Sequence, residues 1–143
     1  MSRKSKISCT LIIVVGIVVI VVASMMARAK GARDAESNIS DIYASVAKAQ
    51  YAEISGQITP SAELTLRTAA TYNGQISSYK VMKVESGITG RPTTVYMLVI
   101  RNGKQYVDVV GTLDNSRMAV VEEYPKEDWE SHRNDRVIRE IAK

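Results

Sequence analysis

The first part of the chain is one long apolar run. Residues 7–27 are 21 consecutive positions without a charge. As a helix they span about 31 Å, which matches a bilayer hydrocarbon core of about 30 Å. Residues 11–22 are Leu, Ile or Val at every position except Gly16. The pattern predicts a single transmembrane helix at residues 7–27, between a short basic tail at 1–6 and a basic juxtamembrane linker at 28–33.

The chain then changes to helical spacing. From residue 34 to about 56, apolar side chains such as Ile39, Ile42 and Val46 recur three or four positions apart, which predicts an amphipathic helix. Thr59-Pro60 is typical of an N-cap followed by the first helical residue. A second, shorter helix is therefore predicted from there to about residue 70, and Asn73-Gly74 is expected to end it.

From residue 76 the apolar period shortens to two, which is typical of strands. The pattern predicts strands at about 77–86, 93–101, 104–112 and 117–124. Asn102-Gly103 favours a type I′ hairpin turn, Asp114-Asn115 a second turn, and residues 87–92 a looser loop. Residues 34–125 are thus predicted to form an α+β domain, with two helices packed on a four-stranded antiparallel meander.

The second predicted strand is apolar on both faces. Val95, Met97 and Val99 alternate with Tyr96, Leu98 and Ile100, although a sheet covered on one side normally alternates apolar with polar residues. Something should therefore cover the second face. An ordinary core around a central strand, a partner-facing patch and a ligand cavity are three explanations that stay open.

Residues 126–143 form a highly charged tail. Trp129, Arg133, Val137 and Ile141 fall four apart, which predicts a short amphipathic helix. Three arrangements of this tail stay open: it folds back on the sheet, it docks into a partner groove, or it is mostly solvated because its apolar stripe is narrow. The residues predicted to bind a partner lie on the second strand and in this tail: Tyr96, Leu98, Ile100, Trp129, Val137 and Ile141.

The formal charge of +4 lies around the apolar run. All 15 acidic residues follow position 33, and from there to the end the chain has 13 Lys and Arg residues. The soluble part is close to neutral, and the bases flanking the apolar run are placed to meet lipid headgroups. With no basic stripe to neutralise phosphates, a nucleic-acid-binding role is not expected.

A cleaved signal peptide is the alternative to a retained anchor. Ala27-Arg28-Ala29 resembles a signal-peptidase site, but the apolar run is longer than the usual 7–15 residues. Three bases lie on each side of the run, so the positive-inside rule is nearly balanced. We expect a single-pass signal-anchor with a cytoplasmic N-terminus and an extracytoplasmic domain.

Candidate chemistry is sparse. His132 and Cys9 are the only residues of their types, so neither a His-based zinc site nor an internal disulfide is expected, and no metal or cofactor is predicted. Asp108 lies mid-strand, and if it faces inward its pKa should rise. Glu122 and Glu123 should point to opposite faces and form no dyad. No catalytic residue is assigned.

Three strand-like segments come at the end of the two predicted helices and after them: "YNGQISSYKV", "TTVYMLVIRNGKQYVDVVGTLD" and "MAVVEEY". In this order the layout of residues 35–125 resembles membrane-anchored cystatin-like or NTF2-like small domains, including cytochrome oxidase assembly factor/Tim-type domains and NTF2-like components of bacterial envelope complexes. No motif residue is shared. The resemblance implies a platform that binds partner proteins.

Three functional hypotheses follow. The first is a non-enzymatic accessory or assembly subunit that binds membrane lipid and other subunits of a membrane complex. The second is an anchored ligand-binding or sensor domain, with an NTF2-like cavity lined by Tyr79, Met82, Tyr96 and Asp108. The third is a hydrolase or isomerase that uses Asp108.

Overall fold

The structure is a computed structural model that describes residues 3–87, 93–113, 117–129 and 131. Its first element, α1, is an unbroken helix of 45 residues, Arg3–Ala47, about 67 Å long at 1.5 Å per residue. Residues 28–33, predicted as a linker, are part of this helix. Ala, Arg and Lys favour a helix there, and the one glycine, Gly31, costs only about 1 kcal/mol.

Burial divides α1 into two parts. Every side chain from residue 13 to residue 30 is exposed, whereas Ala35, Ile39, Ile42, Tyr43 and Val46 are buried. Among the described residues, α1 is the one helix long and apolar enough to span a membrane. The amphipathic stripe predicted from residue 34 is therefore the continuation of the predicted transmembrane helix.

The predicted end of this helix, near residue 56, is wrong. The helix stops at Ala47, and Ala49 adopts a left-handed backbone conformation with φ 57°. A 3₁₀ turn, Tyr51–Ile54, follows and places Tyr51 and Ile54 in the core. The apolar spacing thus continues beyond Ala47, but a separate turn buries these last two side chains.

The second helix, α2, is Pro60–Asn73. Thr59 is its N-cap, as predicted: its hydroxyl accepts from the Ala62 amide at 3.3 Å and donates to the Ala119 carbonyl at 2.7 Å. Gly74 ends the helix with φ 92°. A side chain at this position would collide with the Asn102 side-chain amide, which lies directly against Gly74.

Four antiparallel strands complete the fold in the order β1-β2-β3-β4. They are β1 (Ile76–Glu85), β2 (Thr94–Arg101), β3 (Lys104–Leu113) and β4 (Arg117–Pro125). The predicted α+β meander is confirmed. Asn102 (φ 49°) and Gly103 (φ 77°) confirm a turn with two positive φ values. The predicted turn at Asp114-Asn115 and most of the predicted loop at 87–92 lie outside the described residues.

Both helices lie on one face of the sheet, which we call the inner face. The helix α1 packs on β1 and β2, and α2 packs on β4. Val95, Met97 and Val99 of β2 join the buried residues of α1 in one core with Leu66 of α2 and Met118 of β4. The opposite, outer face of the sheet has no helix from the α1–α2 pair on it.

The Thr59 cap offers a test of this packing. Replacing Thr59 by Ala removes both bonds of its hydroxyl, and we expect the free energy of unfolding to fall by about 1 kcal/mol. Guanidinium unfolding of the full chain in detergent, followed by Trp129 fluorescence, measures this change. The control is Thr71→Ala on the exposed surface of α2, which should stay within about 0.5 kcal/mol of the parent. Equal effects of the two substitutions would contradict the capping role.

Candidate functional site

The outer face of the sheet carries three of the predicted partner-binding residues. Tyr96, Leu98 and Ile100 alternate with the core residues of β2 and are half-buried. In the register of the sheet, Tyr96 lies beside Val109 and Leu98 beside Val107. Val107 and Val109 are buried although they point away from both helices. The outer face is therefore apolar at its centre and partly covered.

Trp129 provides part of this cover. After β4, residues 126–129 form a helical turn, and the Lys126 ammonium donates to the Gln105 side chain at 2.7 Å. The indole of Trp129 then lies 5.4 Å from the Tyr96 ring, edge to face, and 5.8 Å from the Tyr124 ring. Aromatic pairs prefer this kind of geometry. The beginning of the C-terminal tail thus folds back on the sheet, which is one of the three arrangements considered for it.

A cleft of about 250 Å³ remains beside Trp129. It is lined by Met82, Lys83, Glu85, Tyr96 and Trp129. Met82 lies at an irregularity in the pairing of β1 with β2 and is 47% exposed. The Tyr96 hydroxyl donates to Glu85 at 2.9 Å, and Lys83 pairs with the same carboxylate. The cleft therefore joins an aromatic and thioether surface to a polar rim.

The structure brings four of the six predicted partner-binding residues to one face: Tyr96, Leu98, Ile100 and Trp129. The other two, Val137 and Ile141, lie outside the described residues, as does His132. That these side chains bind a partner remains a prediction.

A second group of polar residues lies in the core, on the inner face. The guanidinium of Arg101 is fully buried, and its Nε donates to Glu123 Oε2 at 2.8 Å. Its Nη1 donates to the Gly74 carbonyl at 3.0 Å, and the Asn73 amide donates to Glu123 Oε1 at 2.6 Å. These bonds join the end of α2 to β2 and β4.

Asp108 extends this group toward α1. It is fully buried, it pairs with Glu123 in the register of β3 and β4, and it accepts a 2.6 Å hydrogen bond from the Tyr43 hydroxyl. Burial, followed by the negative charge of Glu123, raises the pKa of Asp108 from 3.8 to about 8. The inward orientation and raised pKa considered from the sequence are confirmed, and near neutral pH the carboxyl is mostly protonated.

The buried polar group lies away from the cleft and the depression on the surface. Asp108 and Arg101 have no exposed surface, and neither they nor Glu123 line the cleft beside Trp129 or the surface depression between residues 103–106 and 125–128. A general acid or base has to reach its substrate within hydrogen-bond distance. Within the described residues, moreover, no group of three or more His, Cys, Asp or Glu side chains could hold a metal ion.

The four residues proposed from the sequence to line one ligand cavity are divided between the two faces. Tyr79 lies on the inner face with its ring 6.0 Å from that of Tyr43, and Asp108 is also inner. Met82 and Tyr96 line the outer cleft. The sheet separates the two pairs, so they do not surround a common space.

The sequence did not indicate that four further residues join Asp108 in one polar group: Tyr43, Asn73, Arg101 and Glu123. One signal was present, because continuing the alternation Val95, Met97, Val99 places residue 101 on the inner face. A buried arginine requires a counter-charge. Glu123 could have been chosen over Glu122 only from the pairing register of β3 with β4.

Comparison of the chain with known protein families, curated protein sequences and solved structures finds no match. The resemblance to cystatin-like and NTF2-like domains therefore remains a prediction.

The raised pKa of Asp108 predicts how stability depends on pH. The folded state keeps a proton that the unfolded state releases near pH 4, so the stability it contributes is present below that pH and is lost as pH rises through about 8. We expect Asp108→Asn to flatten this fall in chemical unfolding measured from pH 5 to pH 8. The exposed Asp41→Asn is the control. The opposite result would contradict a raised pKa for Asp108: the stability of the parent protein would rise between pH 5 and pH 8, and Asp108→Asn would abolish that rise.

Two buried tyrosines form a matched pair for a second test. Tyr43 donates to Asp108, whereas the Tyr51 hydroxyl is buried and has no hydrogen-bond partner among the described residues. Tyr43→Phe should lower the free energy of unfolding by about 1–3 kcal/mol, because it leaves a buried acceptor unpaired. Tyr51→Phe keeps the ring beneath Arg67 and should be neutral or slightly stabilising. Equal losses in denaturant unfolding would show that the Tyr43 bond contributes nothing specific.

Proposed function

We propose that this chain is a single-pass membrane protein that acts as a non-enzymatic accessory or assembly subunit, with its domain docked on a partner protein of a membrane complex. The observation that carries the proposal is the outer face of the sheet. Tyr96, Leu98 and Ile100 leave apolar surface there that Trp129 covers only in part. Apolar surface that is left partly open in this way is typical of a protein–protein binding site.

The anchor supports the same proposal. The side chains of α1 from residue 13 to residue 30 are exposed, and the apolar part of this stretch is long enough to cross a bilayer. Such a surface is stable in lipid and unfavourable in water. Bases flank the apolar run on both sides, and we propose that the N-terminus is cytoplasmic and the domain extracytoplasmic.

The outer cleft suggests the chemistry of the partner. Its aromatic and thioether walls fit one apolar or aromatic side chain, and the charges of Lys83 and Glu85 at its rim fit polar groups beside that side chain. Interfaces concentrate their binding energy in this kind of arrangement, with aromatic anchors at the centre and polar groups around them. We therefore propose that the occupant is an extramembrane segment of a neighbouring membrane protein.

Placing a charge on the outer face tests the proposal. Leu98→Lys should lower the recovered amount of the partner about tenfold or more, because a lysine at the centre of an apolar interface has to be desolvated. The measurement is affinity purification of the full chain from its native membrane in mild detergent, with the companion protein quantified relative to the bait.

Leu64→Lys is the matched control, since Leu64 is 67% exposed on α2, away from the outer face. It should recover the companion as the parent does. Circular dichroism and Trp129 emission establish that both variants are folded. Recovery of the chain without any stoichiometric companion, or equal recovery by all three proteins, would refute docking through this face.

A further inference from the structure

The unbroken α1 fixes the height of the domain above the apolar run. The predicted transmembrane stretch ends at residue 27, and residues 28–34 continue the same helix to Ala35, which is the first buried side chain of α1 counted from residue 13. Seven helical residues cover about 10 Å. The headgroup layer on each side of a bilayer is about 5–7 Å thick. The domain therefore begins where the headgroups end, and parts of it reach lower.

A contact with α1 shows which part of the domain reaches lowest. The Ser86 hydroxyl, just after β1, lies 3.4 Å from the carbonyl oxygen of Arg28, the first residue after the apolar run. At the other end of β1, the ring of Tyr79 lies 6.0 Å from that of Tyr43. From Arg28 to Tyr43 the helix rises about 22 Å, and from Tyr79 to Ser86 a strand covers about 23 Å. Helix and strand therefore run side by side in opposite directions.

This alignment places one end of the whole sheet at the level of Arg28. Because the strands are antiparallel, the end of β3 and the start of β4 lie at the same end as Ser86, and Leu113 pairs with Arg117 there. We call Ser86, Leu113 and Arg117 the proximal rim. All three are exposed, and Leu113 is 48% exposed.

The chemistry of the proximal rim matches a lipid surface. Arg117 is exposed on the rim, and Arg28, Lys30 and Arg33 are exposed on the adjacent part of α1. The carboxylate nearest the rim on β1, Glu85, is already paired with Lys83 and Tyr96. Cationic side chains at the same level as an exposed leucine are typical of surfaces that rest in the headgroup layer. The bases then contact phosphates, and the apolar side chain reaches the boundary between the headgroups and the acyl chains.

We propose that the proximal rim lies in the headgroup layer and binds the phosphates of acidic phospholipids, so that the sheet stands upright on the membrane with its outer face parallel to the bilayer normal. This inference rests on the proposed anchoring of residues 7–27 in the bilayer. It does not depend on which side of the membrane the domain occupies, nor on whether the outer face binds a partner.

Depth measurement on the full chain tests the inference. In a Cys9→Ser background, single cysteines replace Leu113 and Lys104, at opposite ends of β3 and about 30 Å apart. Each single-cysteine protein is labelled with an environment-sensitive fluorophore. It is then reconstituted into vesicles of equal parts phosphatidylcholine and phosphatidylglycerol, which also contain a lipid with a nitroxide attached to its headgroup. The label at 113 should be quenched several-fold more strongly than the label at 104. Ser86→Cys is a second rim position in case the Leu113 variant folds poorly.

The lipid preference is measured with the same variants in vesicles of phosphatidylcholine alone, with and without Arg117→Gln. Stronger quenching at 113 in the acidic vesicles, reduced by Arg117→Gln, supports phosphate binding. Equal quenching at 113 and 104, or none at 113 and 86, overturns the inference.

Alkaline carbonate extraction distinguishes a rim that does not contact lipid from a chain that is not anchored in the membrane. A chain that stays in the membrane with an unquenched rim refutes only the rim, whereas a chain that is extracted refutes the proposed membrane anchoring.

Discussion

One helix has to satisfy two environments, and the rest of the structure depends on how α1 does so. Its first part presents apolar side chains on every face, whereas its last part is apolar only along the stripe of Ala35, Ile39, Ile42, Tyr43 and Val46. That stripe packs on β1 and β2 and closes the core. Because no break separates the two parts, α1 fixes the orientation of the sheet relative to its own apolar part, which is long enough to cross a bilayer.

Placing both helices on the inner face leaves the outer face without such a cover. The apolar residues there, Val107, Val109 and their neighbours on β2, then need another source of burial. Trp129 supplies part of it through its contacts with Tyr96 and Tyr124. The helices close the inner face, whereas Trp129 covers only part of the outer face, so Tyr96, Leu98 and Ile100 stay half-buried. Apolar surface of this kind is typical of a binding site.

The sequence predicted the elements well because their signals are local. The period-two pattern, Asn102-Gly103 and Thr59-Pro60 each specify their own structure within a few residues. It failed where the answer depended on distant residues. The continuity of α1 through residues 28–33 was not predicted because charged residues there are typical of a linker, and the end of α1 depended on the left-handed Ala49.

The buried polar group could not be predicted because Tyr43, Arg101, Asp108 and Glu123 meet only after the strands pair. Asp108 was the one member considered as an inward-facing acid, since an acid in the middle of an apolar strand is unusual.

The burial of Arg101 has a consequence for biosynthesis. Its guanidinium lies in the core, and its counter-charge, Glu123, belongs to the last strand of the sheet. A nascent chain that has been translated only as far as β3 lacks Glu123, so burying this cation would leave its Nε–H without the carboxylate that accepts from it in the folded domain, which is unfavourable. We therefore expect the domain to remain incompletely folded until β4 has been synthesised.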